Sequence, residues 1–270
     1  VDTEGKANLC CIAGWNTFKH SETSVNNEGG LQKIWTGKKY QDIRQRMLAG
    51  EKVPECKRCW RADASGGGSD RSEYNFWPPG KTNDWDIDIK YGNTTGAPIA
   101  IDLRPGNFCN LKCRMCFPQS SSAIGDDCIE HEEINAIYNV WPPNGDFNWF
   151  ENESAYNEIV ELLPNMYSLK IVGGEPLFMQ GVIKLLKHCV ATGLSKNIKL
   201  DITTNGTRQR GKVVNMLGEF ETLTLCISLD GVKTSHDYIR YPSKIKDVLK
   251  NWNEYVKLVE EKYSTRVSII

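Results

Sequence analysis

The chain has 270 residues, 40% of them hydrophobic and 25% charged, with a formal net charge of −1 at pH 7. That balance suits a soluble globular protein of one large or two smaller domains, and it offers no global field for nucleic acid or an anionic membrane. No apolar run reaches the roughly 18 residues of a membrane span, and Val1-Asp-Thr-Glu-Gly5 is not a charged-then-apolar leader, so neither a transmembrane helix nor a signal peptide is expected. Ten cysteines without a secretion signal point to reduced thiols and metal in a cytoplasmic setting rather than to disulfides. The chain opens without Met, and Arg266-Val-Ser-Ile-Ile270 reads as the start of a strand, so a portion of a longer protein is expected.

Taken in order, Gly5-Lys-Ala-Asn-Leu-Cys10 runs into Cys11, and Cys56-Lys-Arg-Cys59 follows much later. Two residues between Cys56 and Cys59 let both thiolates reach one metal. Between these cysteines, apolar periodicity predicts a helix over 38–49, with Tyr40, Ile43, Met47 and Leu48 on one face and Gly50 as its stop. Cys10, Cys56 and Cys59 are the candidate ligands, with Cys11 a further donor, although adjacent side chains seldom ligate one centre comfortably. A zinc ribbon is the other reading of the same cysteines. Next come Ser65-Gly-Gly-Gly-Ser69, Trp77-Pro-Pro-Gly80 and Gly92-Asn-Thr-Thr-Gly96, all loop signals. No Lys-Ser/Thr pair follows the glycines, which excludes a phosphate-binding loop. The division expected is 1–62 as a small Cys-rich domain, 63–97 as a linker and 98–270 as the main domain.

A strand over 97–104 delivers Cys109-Asn-Leu-Lys-Cys113-Arg-Met-Cys116. Three thiolates on one short loop can hold three corners of an iron–sulfur cube and leave one iron without a protein ligand. An open metal position is where chemistry happens, whereas a closed site is structural or only passes electrons. Zinc would need a fourth ligand nearby, and the nearest histidine, His131, lies across a loop.

Strand and helix then alternate. A polar insertion over 120–150 holds a short helix near 131–138. Helices are expected over 153–163, 181–191, 212–217 and 243–260, and strands over 169–172, 198–203 and 223–229, with another opening at Val267. The last helix carries Ile245, Val248, Leu249, Trp252, Tyr255, Val256 and Val259 on its apolar stripe. Repeated strand–helix units demand a parallel sheet with right-handed crossovers and functional residues at the carboxyl ends of the strands. Polar and glycine-rich turns stand at those ends: Gly173-Gly174-Glu175-Pro176, Thr203-Thr204-Asn205-Gly206 and Ser228-Leu-Asp230-Gly231. Two glycines let backbone approach a ligand closely, and Glu175 offers an acceptor for an ammonium group. Asn-Gly and Asp-Gly also form plain turns. Arg240 is either a bidentate partner for a carboxylate or one half of a surface ion pair. Met115 and Phe117 flank the last loop cysteine and either touch a flat ligand or pack in the core. Cys128, Cys189 and Cys226 read as ordinary buried residues, and His20, His188 and His236 as structural or solvated.

The C-x3-C-x2-C loop after a first β-strand, with Gly-Gly-Glu-Pro one repeat unit later, resembles the radical S-adenosylmethionine (SAM) superfamily. The N-terminal Gly-x4-Cys and Cys-x2-Cys resemble the SPASM and twitch extensions of such enzymes. The resemblance implies an α/β fold, a partial (β/α)6-type parallel barrel shortened at its C-terminal end and preceded by a small auxiliary Fe–S domain. It implies a catalytic [4Fe–4S] cluster on Cys109, Cys113 and Cys116, and reductive cleavage of SAM to a 5′-deoxyadenosyl radical that abstracts hydrogen from a substrate. Gly173, Gly174, Glu175 and Pro176 would meet the SAM amino group; Thr204, Asn205, Ser228, Asp230 and Arg240 its ribose and carboxylate; Met115 and Phe117 its adenine. A second cluster on Cys10, Cys56 and Cys59 would have lost its fourth ligand, use Cys11, or stay open. In better-known members the extension follows the catalytic domain; here it precedes it. A low-potential donor of flavodoxin or ferredoxin type and a peptide or protein substrate are the implied partners. The alternative from another class is a non-enzymatic Fe–S electron carrier or a zinc-stabilised interaction module, which leaves Gly173–Pro176 and the polar strand ends unexplained.

Overall fold

The computed structural model describes residues 1–13, 30–74, 87–88, 93–94, 96–138, 147–262 and 267–269. His20 and Trp77–Gly80 lie outside the described residues. The chain divides into two compact units, one of Lys6–Pro98 and one of Val1–Gly5 with Ile99–Ile270.

The smaller unit carries helices α1 (Gly30–Thr36), α2 (Lys38–Leu48), α3 (Lys57–Ala64) and α4 (Asp70–Tyr74), and an antiparallel pair β1 (Ile87–Asp88) and β2 (Asn93–Thr94). Its apolar centre is Tyr40 and Ile43 of α2 packed against Leu9, Ile34 and Trp35. The Tyr40 hydroxyl donates to the Asn8 carbonyl at 2.8 Å, and the Trp35 indole donates to the Gly96 carbonyl at 3.0 Å. Met47 and Leu48, expected on the same face, are exposed. The partners available cover only the first turns of α2, and the helix stops at Gly50, whose φ is +80°. Segment 57–64, which crosses the expected end of the small domain at 62, and segment 70–74, inside the expected linker, are both helices of this unit.

The larger unit is built on five parallel strands: β3 (Ala100–Leu103), β4 (Ser168–Ile171), β5 (Lys199–Thr204), β6 (Thr222–Ile227) and β7 (Val267–Ile269), in the order β3-β4-β5-β6-β7. Helices α5 (Ser122–Glu130), α6 (Glu132–Tyr138), α7 (Glu153–Leu162), α8 (Gln180–Ala191), α9 (Lys212–Leu217), α10 (Thr234–Ile239) and α11 (Ile245–Lys262) fill the connections. Strands in sequential order with crossovers of one hand put the helices on one face. The burial pattern agrees: Ile101, Leu103, Leu169, Ile171, Leu200, Ile202, Leu223 and Leu225 are buried. The intervening Asp102, Lys170 and Asp201 are half-exposed and share one register row. This is a partial (β/α) barrel, one face dry and one polar. The Val1 carbonyl accepts the Arg104 N–H at 3.0 Å just past β3.

Most elements fall within two residues of expectation. Helices α5 and α10 were not foreseen. The Ser121 hydroxyl accepts the Ile124 N–H and caps α5, so the serine run that reads as a loop also starts a helix. In α11 the buried residues are Val248, Asn251, Tyr255, Leu258 and Val259, while Leu249 is 46% exposed. The stripe is turned because the chain after β5 needs donors. Asn251 donates to the Gly206 carbonyl at 2.9 Å, and the Tyr255 hydroxyl donates to the Arg208 carbonyl. Leu258→Ala should therefore cost about 2–5 kcal/mol of stability in urea unfolding. Leu249→Ala should stay within about 0.5 kcal/mol, and equal costs would contradict the assigned face.

Candidate active site

The cysteine loop leaves the end of β3. Cys109, Leu111 and Cys113 form one buried cluster with Cys116 packed against it. Burial pushes the Cys109 thiol up to about 12, the nearby Glu175, Cys113 and Cys116 charges adding to the rise. Burial also raises Cys113 and Cys116, and the Arg240 charge opposes the rise in both.

The loop is held by groups that the spacing of its cysteines does not reveal. The Asn107 amide donates to the Pro118 carbonyl at 2.8 Å, and Ser122 N–H donates to the Asn107 carbonyl at 2.8 Å. The Ser121 hydroxyl donates to the Leu111 carbonyl at 2.6 Å, and Cys109 N–H donates to the Ser122 hydroxyl at 3.2 Å. On the other side the Tyr241 carbonyl takes Lys112 N–H at 2.7 Å and the Ile239 carbonyl takes Arg114 N–H at 2.8 Å. The loop is thus clamped between the start of α5 and the chain after α10. The serine run was the one legible signal for this support, as a helix-start pattern.

Gly173 and Gly174 follow β4 with φ of +91° and +55°. A Cβ on Gly174 would lie 2.3 Å from the Phe108 carbonyl oxygen, so a side chain there would force the turn off the cysteine loop. Glu175 N–H donates to that same carbonyl at 2.7 Å. The Glu175 side chain is fully buried rather than open to a ligand. One carboxylate oxygen accepts the Thr204 hydroxyl at 2.7 Å and Leu177 N–H at 3.2 Å; the other accepts Asn205 N–H at 2.6 Å. Desolvation pushes this carboxyl up to about 7, against the pull of these donors.

From the end of β5, the Asn205 amide points at Cys109 Sγ (4.0 Å) and donates to Asn110 Oδ1 at 2.9 Å; Asn110 in turn donates to the Thr207 hydroxyl at 3.0 Å. Beyond β6, Arg240 Nε binds Asp230 at 2.5 Å and its Nη1 donates to Cys113 Sγ at 3.9 Å. Arg240 thus forms an ion pair with Asp230 at the end of the sheet. Ser228 N–H donates to the Thr204 carbonyl at 2.9 Å. Met115 and Phe117 are exposed, as are Phe108 and Tyr241. Pro176 opens a short 3₁₀ turn capped by Glu175. Cys128, Cys189, Cys226 and His236 are buried.

In the smaller unit, Cys56 ends a 3₁₀ turn and Cys59 lies in the first turn of α3. The Cys56 thiol is raised by burial first, then by the Cys10 and Cys59 charges. Cys10 Sγ accepts Ala13 N–H at 3.2 Å. Cys10 and Cys11 are exposed. Among the described residues, no three His, Cys, Asp or Glu side chains converge as ligands of a single ion. An iron–sulfur cube takes one thiolate at each of its separate corners. Soft thiolates with N–H donors aimed at two sulfurs fit that group.

A parallel (β/α) sheet with an iron–sulfur-type ligand loop at its first strand end defines the class of protein. Residues 103–268 match the Radical SAM superfamily, and the chain belongs to it. Residues 1–60 match SPASM, an iron–sulfur cluster-binding domain. Membership implies a [4Fe–4S] cluster and SAM, and the SPASM match implies auxiliary Fe–S binding. Radical SAM cyclopropyl synthase TigE of Paramaledivibacter caminithermalis is 28% identical over 171 residues, 62% of this chain and 34% of that protein. Sporulation killing factor maturation protein SkfB of Bacillus subtilis is 23% identical over 143 residues, 53% of this chain and 29% of that protein. The chain spans about a third of the length of the curated relatives it matches. The crystal structure of Streptococcus suis SuiB aligns at 15% identity with a TM-score of 0.42, covering 82% of this chain and 46% of that one. Among the described residues, no helix is long and apolar enough to cross a membrane.

The buried Glu175 gives a pH test on the metal-free chain. Its folded carboxyl titrates near 7, above the usual 4.5, so the fold holds the proton more tightly than the unfolded chain does. Its contribution is full below about 4.5 and is lost as pH rises through about 7. The stability gap between wild type and Glu175→Gln, measured by urea unfolding, should therefore shrink or change sign from pH 5 to pH 8. A gap that widens with pH would contradict the assignment.

Proposed function

We propose that this chain is a radical SAM enzyme whose catalytic [4Fe–4S] cluster is held by Cys109, Cys113 and Cys116. When bound, the cluster and SAM supply a 5′-deoxyadenosyl radical that takes hydrogen from a substrate, with one electron from a low-potential donor of flavodoxin or ferredoxin type. The observation that carries this reading is the backbone bond from Glu175 to the Phe108 carbonyl, which locks the Gly173–Pro176 turn onto the residue before the first ligand.

The Gly173–Pro176 turn, packed close against the cysteine loop by its two glycines, meets the SAM amino group. The Glu175 carboxylate sets the shape of that turn through Thr204 and Asn205. Thr204, Asn205, Ser228 and Asp230 form the polar rim for ribose and carboxylate, and Arg240 stands beside them. Exposed Met115 and Phe117 offer the apolar contacts an adenine needs. Cys10, Cys56 and Cys59 hold an auxiliary cluster that relays an electron or faces the substrate. We place the substrate among peptides or proteins, supported by the description of SkfB as a maturation protein. The near-neutral net charge offers no global field for nucleic acid or an anionic membrane, and the ten cysteines suit the reducing setting of a cytoplasmic enzyme.

The test is anaerobic. Full-length protein is reconstituted, reduced with dithionite and given SAM, and 5′-deoxyadenosine is measured. Wild type should form it and Cys113→Ala should not. Cys59→Ala should lower bound iron by the auxiliary cluster alone and keep the SAM-responsive signal. A wild type that binds zinc and no iron would return the cysteines to the interaction-module reading.

A further inference from the structure

We propose that Arg240 tunes the catalytic cluster through the sulfur of Cys113, with Asp230 setting how much of the guanidinium charge the cluster feels. The inference rests on the reading that Cys109, Cys113 and Cys116 hold an iron–sulfur cluster.

Arg240 is placed by its backbone before its side chain acts. Its N–H donates to the His236 carbonyl at 2.8 Å. Its carbonyl accepts the Ser243 hydroxyl at 2.8 Å and Ser243 N–H at 2.9 Å. His236 is fully buried, with Nε2 3.0 Å from that same hydroxyl. The carbonyls on either side of Arg240, those of Ile239 and Tyr241, take the N–H groups of Arg114 and Lys112. Those two residues flank Cys113. Segment 239–241 and segment 112–114 are therefore joined main chain to main chain, and Arg240 stays beside Cys113 unless both bonds break.

The guanidinium is a rigid fork. Its Nε is on Asp230 at 2.5 Å and its Nη1 on Cys113 Sγ at 3.9 Å, with 17% of the Arg240 side chain exposed. Each edge of the fork that could hold a carboxylate bidentately, Nε with Nη2 or Nη1 with Nη2, already has one nitrogen on Asp230 or on Cys113. Hydrogen bonds and positive charge at a cluster sulfur favour the reduced, more negative cluster and raise its potential. Partial burial keeps that interaction from being screened. The Asp230 carboxylate opposes it. Removing the cation and removing its counter-anion must then move the potential in opposite directions, which general loosening of the site would not do.

The measurement is an EPR-monitored redox titration of the reconstituted full-length protein without SAM, with SAM dissociation constants measured in parallel. Arg240→Gln should make the catalytic cluster's potential more negative, Asp230→Asn should make it less negative, and Arg240→Lys should fall between wild type and Arg240→Gln. Unchanged potentials with weakened SAM binding in Arg240→Gln would overturn the proposal in favour of a carboxylate clamp. Shifts of one sign in Arg240→Gln and Asp230→Asn would overturn it in favour of simple disruption. A wild type that takes up no iron would overturn the underlying reading, a result distinct from both.

Discussion

The larger unit depends on the buried carboxylate of Glu175. It enters a fully desolvated position and is held there by the Thr204 hydroxyl and the N–H groups of Asn205 and Leu177. Its own N–H reaches the Phe108 carbonyl. One residue thus joins the ends of β4 and β5 to the cysteine loop that follows β3. Burying a carboxyl is costly unless it is hydrogen-bonded, and its rise to about 7 records the cost that remains. Glutamine could keep the shape but would face the Asn205 N–H or the Leu177 N–H with a donor.

Around that tie, the sheet separates packing from chemistry. Strands in sequential order send their helices to one face, where Ile, Leu and Val side chains make the dry layer. The polar groups collect at the carboxyl ends of the strands and on the uncovered face. The cysteine loop draws its support from both sides. It is clamped on one side by Asn107, Ser121 and Ser122 and on the other by the main chain of 239–241.

What was legible in the sequence follows from what the chemistry demands of side chains. The short spacing of Cys109, Cys113 and Cys116 is written in residue identity alone, and Gly173 and Gly174 are held to glycine because their φ is positive and a Cβ on Gly174 would strike a carbonyl. The clamp at 239–241 works through carbonyl and N–H groups that every residue but proline possesses, so it leaves no residue signature. Periodicity placed α11 but turned its stripe toward Leu249, because a count of apolar residues cannot see that Gly206 and Arg208 carbonyls call for Asn251 and Tyr255 on the inside. Glu175 read as an open acceptor for the same reason: composition shows a carboxylate but not the donors folded around it.

The proposed function stands on three cysteines that would hold a cluster with one iron left for SAM. Iron-57 Mössbauer spectra of the reconstituted full-length protein, taken with and without SAM, test it most directly. An open cluster predicts that one iron of the catalytic cluster changes its spectrum when SAM is added, as its ligands change from solvent to the amino and carboxylate groups. Spectra identical with and without saturating SAM would contradict it.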